Sequence, residues 1–513
     1  MLKAIANLFR LFIIARILAR HDALFPLERL GVAPAVMTLV RLISRRHAPG
    51  RPGERLAAAC EALGPTFIKL GQALSVRSDL VGEEVASDLS SLQDKLPPFA
   101  SDKAKAFIEA ELGRTIEELF DRFDSEPIAA ASIAQVHFAT TTEGEEVAVK
   151  VLRPNVQAIF ARDLDLMYWV ARLVERARPD LRRLKPVEVV RTFEETVWLE
   201  MDLRMEAAAA TELAENFAGD RDFHVPRVDW QRTARGVLTT ERINGIPIDE
   251  IEALVDAGLD PRDIIEKSAR VFFYQVFRDG FFHADMHPGN MFIGHNGELM
   301  PVDFGIMGRL DRKTRNYLAD MLLAFLQRDY RRVAEVHFQA GYVPAHKSRE
   351  GFTQACRSIG EPILGLPLEQ ISLARLLAQL FQVTEQFEME TQPQLLLLQK
   401  TMLVAEGVGR KLDTAVNMWV LAQPLIEEWM WENRGPAARV RDAAETALTQ
   451  LERLPLLLDR IDLAGKMIEE GGMRLHPETE AALRNRDGGL WPAAIVAAAT
   501  ALITVTVLLA LTG

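Results

Sequence analysis

A chain of 513 residues with 49% hydrophobic and 26% charged residues has room for about three folded units and is too apolar for a disordered polymer. Two cysteines, Cys60 and Cys356, exclude a disulfide framework and fit a reducing compartment, and no Cys/His cluster has zinc-ligand spacing. The net charge of −12 is uneven: the first 60 residues hold ten Lys/Arg against three acidic residues, +7, which leaves −19 on the rest, so general nucleic-acid binding is excluded while the basic head predicts an anionic lipid surface nearby.

The opening "MLKAIANLFRLFIIARILAR" is not a secretory signal, because Arg10 and Arg16 leave only five uncharged residues between them. Two readings stay open for it, a basic helix in the membrane interface or an ordinary packed helix. Residues 56–125 read as helices, with Ser101 or Asp102 as the N-cap of the segment "SDKAKAFIEAELGRTIEELFDRF". The pattern then changes to strands in "EPIAAASIAQVHFATTTEGEEVAVKVL", which turns around Glu143-Gly144. In the last run Val147, Val149 and Val151 share one face, and Ala148, Lys150 and Leu152 share the other. A lysine in so apolar a strand needs a partner or a ligand.

Helices follow from about 155 to 217, then two short strands in "VPRVDW" and "RGVLTTERI", and a hinge-like turn at "NGIP" within 241–248. From Asp249 onward the chain reads as helical except for a hairpin, "NMFIG" and "ELMPVD" around a turn at Asn296-Gly297. "GVGRKLD" at 407–413 lacks phosphate-loop spacing, and "LLLLQKTMLVAEG" reads as an apolar core helix. The uncharged run at 488–513 is different in kind: 22 residues at 490–511 span about 33 Å as a helix, enough to cross a bilayer. Arg484 and Arg486 just before it predict a cytoplasmic side for the preceding domain.

The chemistry concentrates at "FFHADMHPGNMFIGHNGELMPVDFG". Asp285, Asn290 five positions later and Asp303 in Asp303-Phe304-Gly305 follow the spacing of a kinase catalytic loop and its metal-binding segment. In that template Asp285 orients an acceptor hydroxyl and takes its proton, while Asn290 and Asp303 hold Mg2+ between phosphates, since Mg2+ takes hard oxygen ligands. Lys150 fits the lysine that binds the α/β-phosphates, and Glu206 in "RMEAAAA" is the candidate carboxylate to fix it. His283 reads as a brace for the loop; His287 is open between a phosphate contact and a surface or bracing role.

On these residues the chain resembles the UbiB family of atypical, protein-kinase-like kinases tied to ubiquinone biosynthesis. The resemblance rests also on "FIKLGQALSVRSDLV", which matches the KxGQ signature at Lys69, Gly71 and Gln72 and continues through Ser75, Arg77 and Asp79. Ala129, Ala130, Ala131, Ser132, Ile133 and Ala134 match the alanine-rich loop that stands where ordinary kinases carry glycines, and alanines there predict a stiffer nucleotide loop. Glu200 and Asp202 match the ExD motif ahead of Glu206.

The resemblance implies an α+β, two-lobed protein-kinase-like fold with a basic helical extension at 1–115, a small lobe with inserted helices at 116–243, a helical lobe at 244–435, a helical linker at 436–488 and a membrane span at 490–512. It implies ATP or ADP and Mg2+ as ligands, and Lys69 paired with Glu200 so that the KxGQ segment, with Asp202, occludes the place of a protein substrate. With no peptide platform after Gly305, ATP hydrolysis or transfer to a non-protein acceptor is expected. The implied setting is the bacterial inner membrane, crossed once with the catalytic domain cytoplasmic, among membrane lipids, quinone precursors and other ubiquinone-biosynthesis proteins. Two further classes remain: a nucleotide-gated scaffold or quinone-precursor extractor with little catalysis, and a small-molecule kinase of the aminoglycoside or choline type.

Overall fold

The computed structural model describes residues 2–25, 49–75, 81–89, 92, 96–177, 185–362, 382–384, 386–389, 392–413 and 424–431. The expected linker at 436–488 and span at 490–512 lie outside these, as do Arg77 and Asp79. Among the described residues no helix is long and apolar enough to cross a membrane.

Among the described residues four helices come first: α1 (Leu2–Arg20), α2 (Pro52–Leu63), α3 (Pro65–Ser75) and α4 (Glu83–Leu89). Of the two readings open for the first, the structure shows a packed helix. Ile14, Ala15, Leu18 and Ala19 of α1 are buried against Leu56, Cys60 and Leu89, and Arg10 pairs at 2.9 Å with the buried Asp163.

Next come α5 (Ser101–Leu112), the single turn α6 (Ile116–Leu119) and strands β1 (Phe120–Phe123), β2 (Ala129–Ala130), β3 (Ala134–Thr141) and β4 (Glu146–Leu152). Three sequence expectations need correction here. The N-cap of α5 is Ala100, not Ser101 or Asp102. Gly113, at φ 67°, takes the left-handed conformation that ends α5, and a capping box between Thr115 and Glu118 starts α6 afresh. The helix expected to reach 125 stops at Leu119, because Phe120 and its neighbours pair antiparallel with β3, a partner that local periodicity cannot see.

Helices α7 (Val156–Ala177), α8 (Pro186–Glu200) and α9 (Leu203–Asn216) lead to β5 (Val237–Glu241). The sheet is antiparallel, in the order β1-β3-β4-β5 with β2 beside β3. Val147, Val149 and Val151 are buried with Ile108 of α5 on one face; Leu152 on the other joins Phe160, Leu203 and Ala207. "VPRVDW" contributes one bridge, Val228 to Thr240, instead of a strand: Pro226 has no N–H to donate, and Asp229 caps a turn at Trp230–Arg232.

The larger lobe holds β6 (Ile246–Pro247), α10 (Ile251–Asp256), α11 (Pro261–Phe273), β7 (Phe281–His283), β8 (Met291–Ile293), β9 (Leu299–Pro301), β10 (Met307–Arg309), α12 (Arg312–Leu326), α13 (Tyr330–Ala340), α14 (Arg349–Gly360) and α15 (Pro393–Leu412). The hairpin β8–β9 is as expected. The "NGIP" turn instead yields the edge strand β6, where Pro247 costs no ladder bond within the sheet. A second ribbon, β7 with β10, had no counterpart in the sequence reading, because its short strands are not joined by a turn that the sequence marks. Helix α9 joins the two lobes: Leu203 and Ala207 lie in the small-lobe core, Ala210 and Leu213 in the larger one.

In the β7–β10 ribbon Gly308 stands opposite Phe282, a fully buried ring that occupies the space a Cβ at 308 would need. Gly308→Ala is therefore expected to destabilise the protein by about 1–3 kcal/mol, the scale of core overpacking. Thermal or denaturant melts test this, and combining it with Phe282→Leu should recover part of the loss.

Candidate functional site

The strand β4 delivers Lys150 to the face that meets α9. Its ammonium lies 2.8 and 2.9 Å from the two carboxylate oxygens of Glu206 and 3.4 Å from Oδ2 of Asp303. Glu206 is buried one turn into α9, whose start is fixed by Asp202 capping the N–H of Arg204. Burial works against the charge on Lys150, yet Asp303 and Glu206 together raise its pKa above the ordinary lysine value. Burial likewise opposes ionisation of Asp303, but the Lys150 charge and the Gly305 N–H hold its carboxyl well below the usual range. Burial pushes Glu206 up, with Lys150 pulling against it. One lysine thus serves two carboxylates.

The residues of the expected catalytic loop are set by β7 and by the turn that follows it. His283 is buried; its Nδ1 accepts from the Asp285 N–H at 3.2 Å, so its Nε2–H donates to the Asp303 carbonyl oxygen. One imidazole therefore ties both acidic segments together, and the backbone N–H of His283 donates to Oε1 of Gln275 at 2.8 Å. Gln275 lies in a turn of π-helix at Tyr274–Asp279, an irregularity common at functional sites. Asn290 donates through Nδ2 to the Asp285 carbonyl at 3.3 Å. His287 accepts from the Gly289 N–H through Nδ1, the bracing alternative, while its Nε2 stands 3.9 Å from Asp285.

Among the described residues no group of three or more His, Cys, Asp or Glu could enclose a metal. The donors on offer are one carboxylate, Asp303, and one amide oxygen, Asn290. That set fits Mg2+, which commonly keeps water and phosphate oxygens in most of its positions, better than a metal held in an all-protein cage.

The alanine-rich loop is anchored rather than loose. The Ala131 N–H donates to the Ala134 carbonyl, and Arg153 donates to the Ala131 carbonyl at 3.0 and 2.9 Å and to the Pro97 carbonyl at 3.0 Å. Ala129 and Ala130 pair with β3, Ile133 and Ala134 are buried, and the buried Ser132 hydroxyl has no hydrogen-bond partner among the described residues.

In the extension, Lys69 pairs with Glu200 at 2.9 Å. Gly71 is buried in α3 where a Cβ would overlap Leu92, and Gln72 is half-buried. Asp202 turns instead to Arg204, at 2.7 Å. The Lys69 charge contributes to holding Asp303 down, so the extension is felt electrostatically at the site. After Gly305 the chain enters β10 at Met307 and α12 at Arg312, with no long segment between.

Sequence reasoning missed Arg153, Gln275 and Lys400. Lys400 of α15 lies 2.8 Å from Oδ1 of Asp285. Its signal was the one already used for Lys150, a cation inside an apolar run, here "LLLLQKTML".

Comparison with known proteins follows this geometry. The ABC1 atypical kinase-like domain matches residues 91–337 and the UbiB helical domain matches 356–417. A Marinobacter nauticus protein named "Probable protein kinase UbiB" is 44% identical over 459 residues, covering 88% of this chain and 83% of its own. A Pseudomonas putida protein of the same name is 42% identical over 494 residues, covering 94% and 90%. Among solved structures, the Rv3197–erythromycin complex from Mycobacterium tuberculosis aligns with a TM-score of 0.52 at 26% identity, over 70% of this chain and 91% of that one.

Burial lowers the pKa of His283 from its ordinary 6.5, against the charge and carbonyl of Asp303. The unfolded chain then takes up the proton first, so this contribution to stability is present above about pH 6.5 and shrinks as the pH falls. His137 and His337 are lowered the same way and cancel in a comparison of variants. Between pH 8 and 5 the melting temperature of His283→Gln should fall less steeply than that of the wild type; equal slopes would show that His283 makes no proton-linked contribution.

Proposed function

The chain belongs to the UbiB family of ABC1 atypical kinases, and from that membership we propose that it is a membrane-anchored, Mg-ATP-dependent enzyme supporting ubiquinone biosynthesis. It hydrolyses ATP or passes the terminal phosphoryl group to a non-protein acceptor. The observation that carries this reading is the Lys150–Glu206–Asp303 charge cluster, braced by one buried histidine to the loop that bears Asp285 and Asn290.

In this reading Lys150, fixed by Glu206, binds the α/β-phosphates, and the backbone of the 129–134 loop lies along them. Asn290 and Asp303 are the residues that would hold Mg2+, which would supply positive charge to offset that of the phosphates. Asp285 orients the acceptor hydroxyl and takes its proton. The Lys69–Glu200 pair and the short run from Gly305 to α12 support a non-protein acceptor: the first ties the KxGQ helix to the site, and the second leaves little platform for a peptide. The uncharged run at 490–512, preceded by Arg484 and Arg486, supplies the anchor and keeps the catalytic part on the cytoplasmic side of a bacterial inner membrane.

A scaffold that binds nucleotide with little turnover is the second reading, favoured by the Arg153 clamp that holds the Ala131 carbonyl. Purified full-length chain in anionic liposomes should turn over ATP, and Asp303→Asn should lower the rate by at least about 100-fold, as expected when a transition-state charge contact is lost. Equal turnover would remove Asp303 from the metal site. A deletion strain whose ubiquinone is restored by Asp285→Asn and by Asp303→Asn would favour the scaffold.

A further inference from the structure

Lys400 lies outside the kinase-like stretch at 91–337 and inside the helical stretch at 356–417. Its helix is held without it: Leu398, Val408 and Leu412 are buried in the larger lobe, and α15 packs on α11 and on β10. The adjacent Thr401 is fully buried and bonded to its own helix through the Leu397 carbonyl. Lys400 itself remains 37% exposed and spans into the site to meet Oδ1 of Asp285 at 2.8 Å. An ion pair this exposed contributes little to folding stability, so its geometry calls for another account.

The charges around it supply one. A carboxylate placed to accept a proton beside a triphosphate faces a strong like-charge repulsion. Lys150 is engaged with Glu206 and Asp303, and Lys69 with Glu200. Among the described residues, the cations within 4 Å of the Asp285 carboxylate are Lys400 on Oδ1 and, when protonated, His287 at 3.9 Å from Oδ2.

We propose that Lys400 is a positioning residue for phosphoryl transfer, an inference that rests on the enzymatic reading above. Its ammonium fixes the Asp285 carboxylate through Oδ1, turns Oδ2 to the acceptor hydroxyl, and offsets the repulsion between that carboxylate and the phosphoryl group in transit. The acceptor oxygen forms its bond to the γ-phosphorus while the bond from that phosphorus to the bridging oxygen breaks. The electron pair leaves with ADP, the acceptor proton passes to Asp285, and Lys400 keeps its own. The UbiB helical domain thereby supplies part of the site.

The test is steady-state ATP turnover by full-length Lys400→Met and Lys400→Arg in anionic liposomes, beside the melting-temperature shift produced by Mg-ADP. In Lys400→Met, kcat should fall on the order of 100-fold, the scale of a misplaced catalytic group. KM for ATP should stay within about twofold, because uniform ground-state binding is untouched. Lys400→Arg should recover part of kcat, and the Mg-ADP shift should be that of the wild type in both. A Lys400→Met kcat equal to or above the wild type, beside normal wild-type turnover, overturns this inference alone; a higher value would mark the pair as a brake. Loss of kcat together with loss of the Mg-ADP shift and no recovery in Lys400→Arg marks a purely structural contact and overturns it too. Wild-type chain that binds Mg-ADP but turns over no ATP overturns the enzymatic reading, and this inference with it.

Discussion

The arrangement depends on a lysine placed in an apolar strand and the two carboxylates that keep it charged. Lys150 leaves water with Val136 and Leu238 as its neighbours across the sheet, a position that is unfavourable without compensation. Glu206 and Asp303 supply it, and each comes from a different part of the chain. Removing one partner of a buried pair such as Lys150–Glu206 generally costs about 3–5 kcal/mol because the other charge is left unmatched, while the part-exposed Asp303 is screened by solvent and contributes less. The cluster therefore couples the small sheet, the helix that joins the two lobes and the hairpin of the larger lobe.

Around that cluster the backbone is fastened at a few polar points. His283 holds the Asp285 amide and the Asp303 carbonyl at once, and it can do so only as a neutral ring with one donor and one acceptor. Gln275, on a turn of π-helix, fixes His283 in turn. The ribbon of β7 and β10 is narrow enough that Gly308 and the ring of Phe282 share one layer, so the two acidic segments leave it at fixed positions. Rigidity at this level suits chemistry that depends on electrostatic preorganisation, where donors and charges stand in place before the reaction begins.

The parts added to the kinase-like framework act on the same cleft from its edges. The N-terminal extension reaches it through Lys69 and Glu200, the helical domain through Lys400, and the loop before α5 through its Leu96 and Pro97 carbonyls on Arg153. Each contact restrains a group with a proposed task, and together they make a cleft in which lysines and acids are already matched. Under the proposed function, nucleotide binding would be an exchange of partners, with phosphate oxygens competing for cations that protein carboxylates hold.

The sequence by itself determined what repeats locally or follows a fixed spacing. Alternation placed Val147, Val149 and Val151 on one face and Lys150 on the other; the Asn296-Gly297 turn marked the hairpin; and the interval from Asp285 to Asn290 and on to Asp303 marked the candidate site, while the pairing of Lys69 with Glu200 came only as what the resemblance to the UbiB family implies. Strand β6 and the β7–β10 ribbon escaped it, as did the end of a helix at Leu119, because these elements are defined by the partner they hydrogen-bond and not by their own pattern. Tertiary structure alone decided that Arg153 would close the alanine-rich loop and that Lys400 would meet Asp285 across 115 residues of chain. The reason is physical: a side chain's charge is written in its residue type, but its partner is set by which surfaces bury together, and that is a property of the whole packed chain.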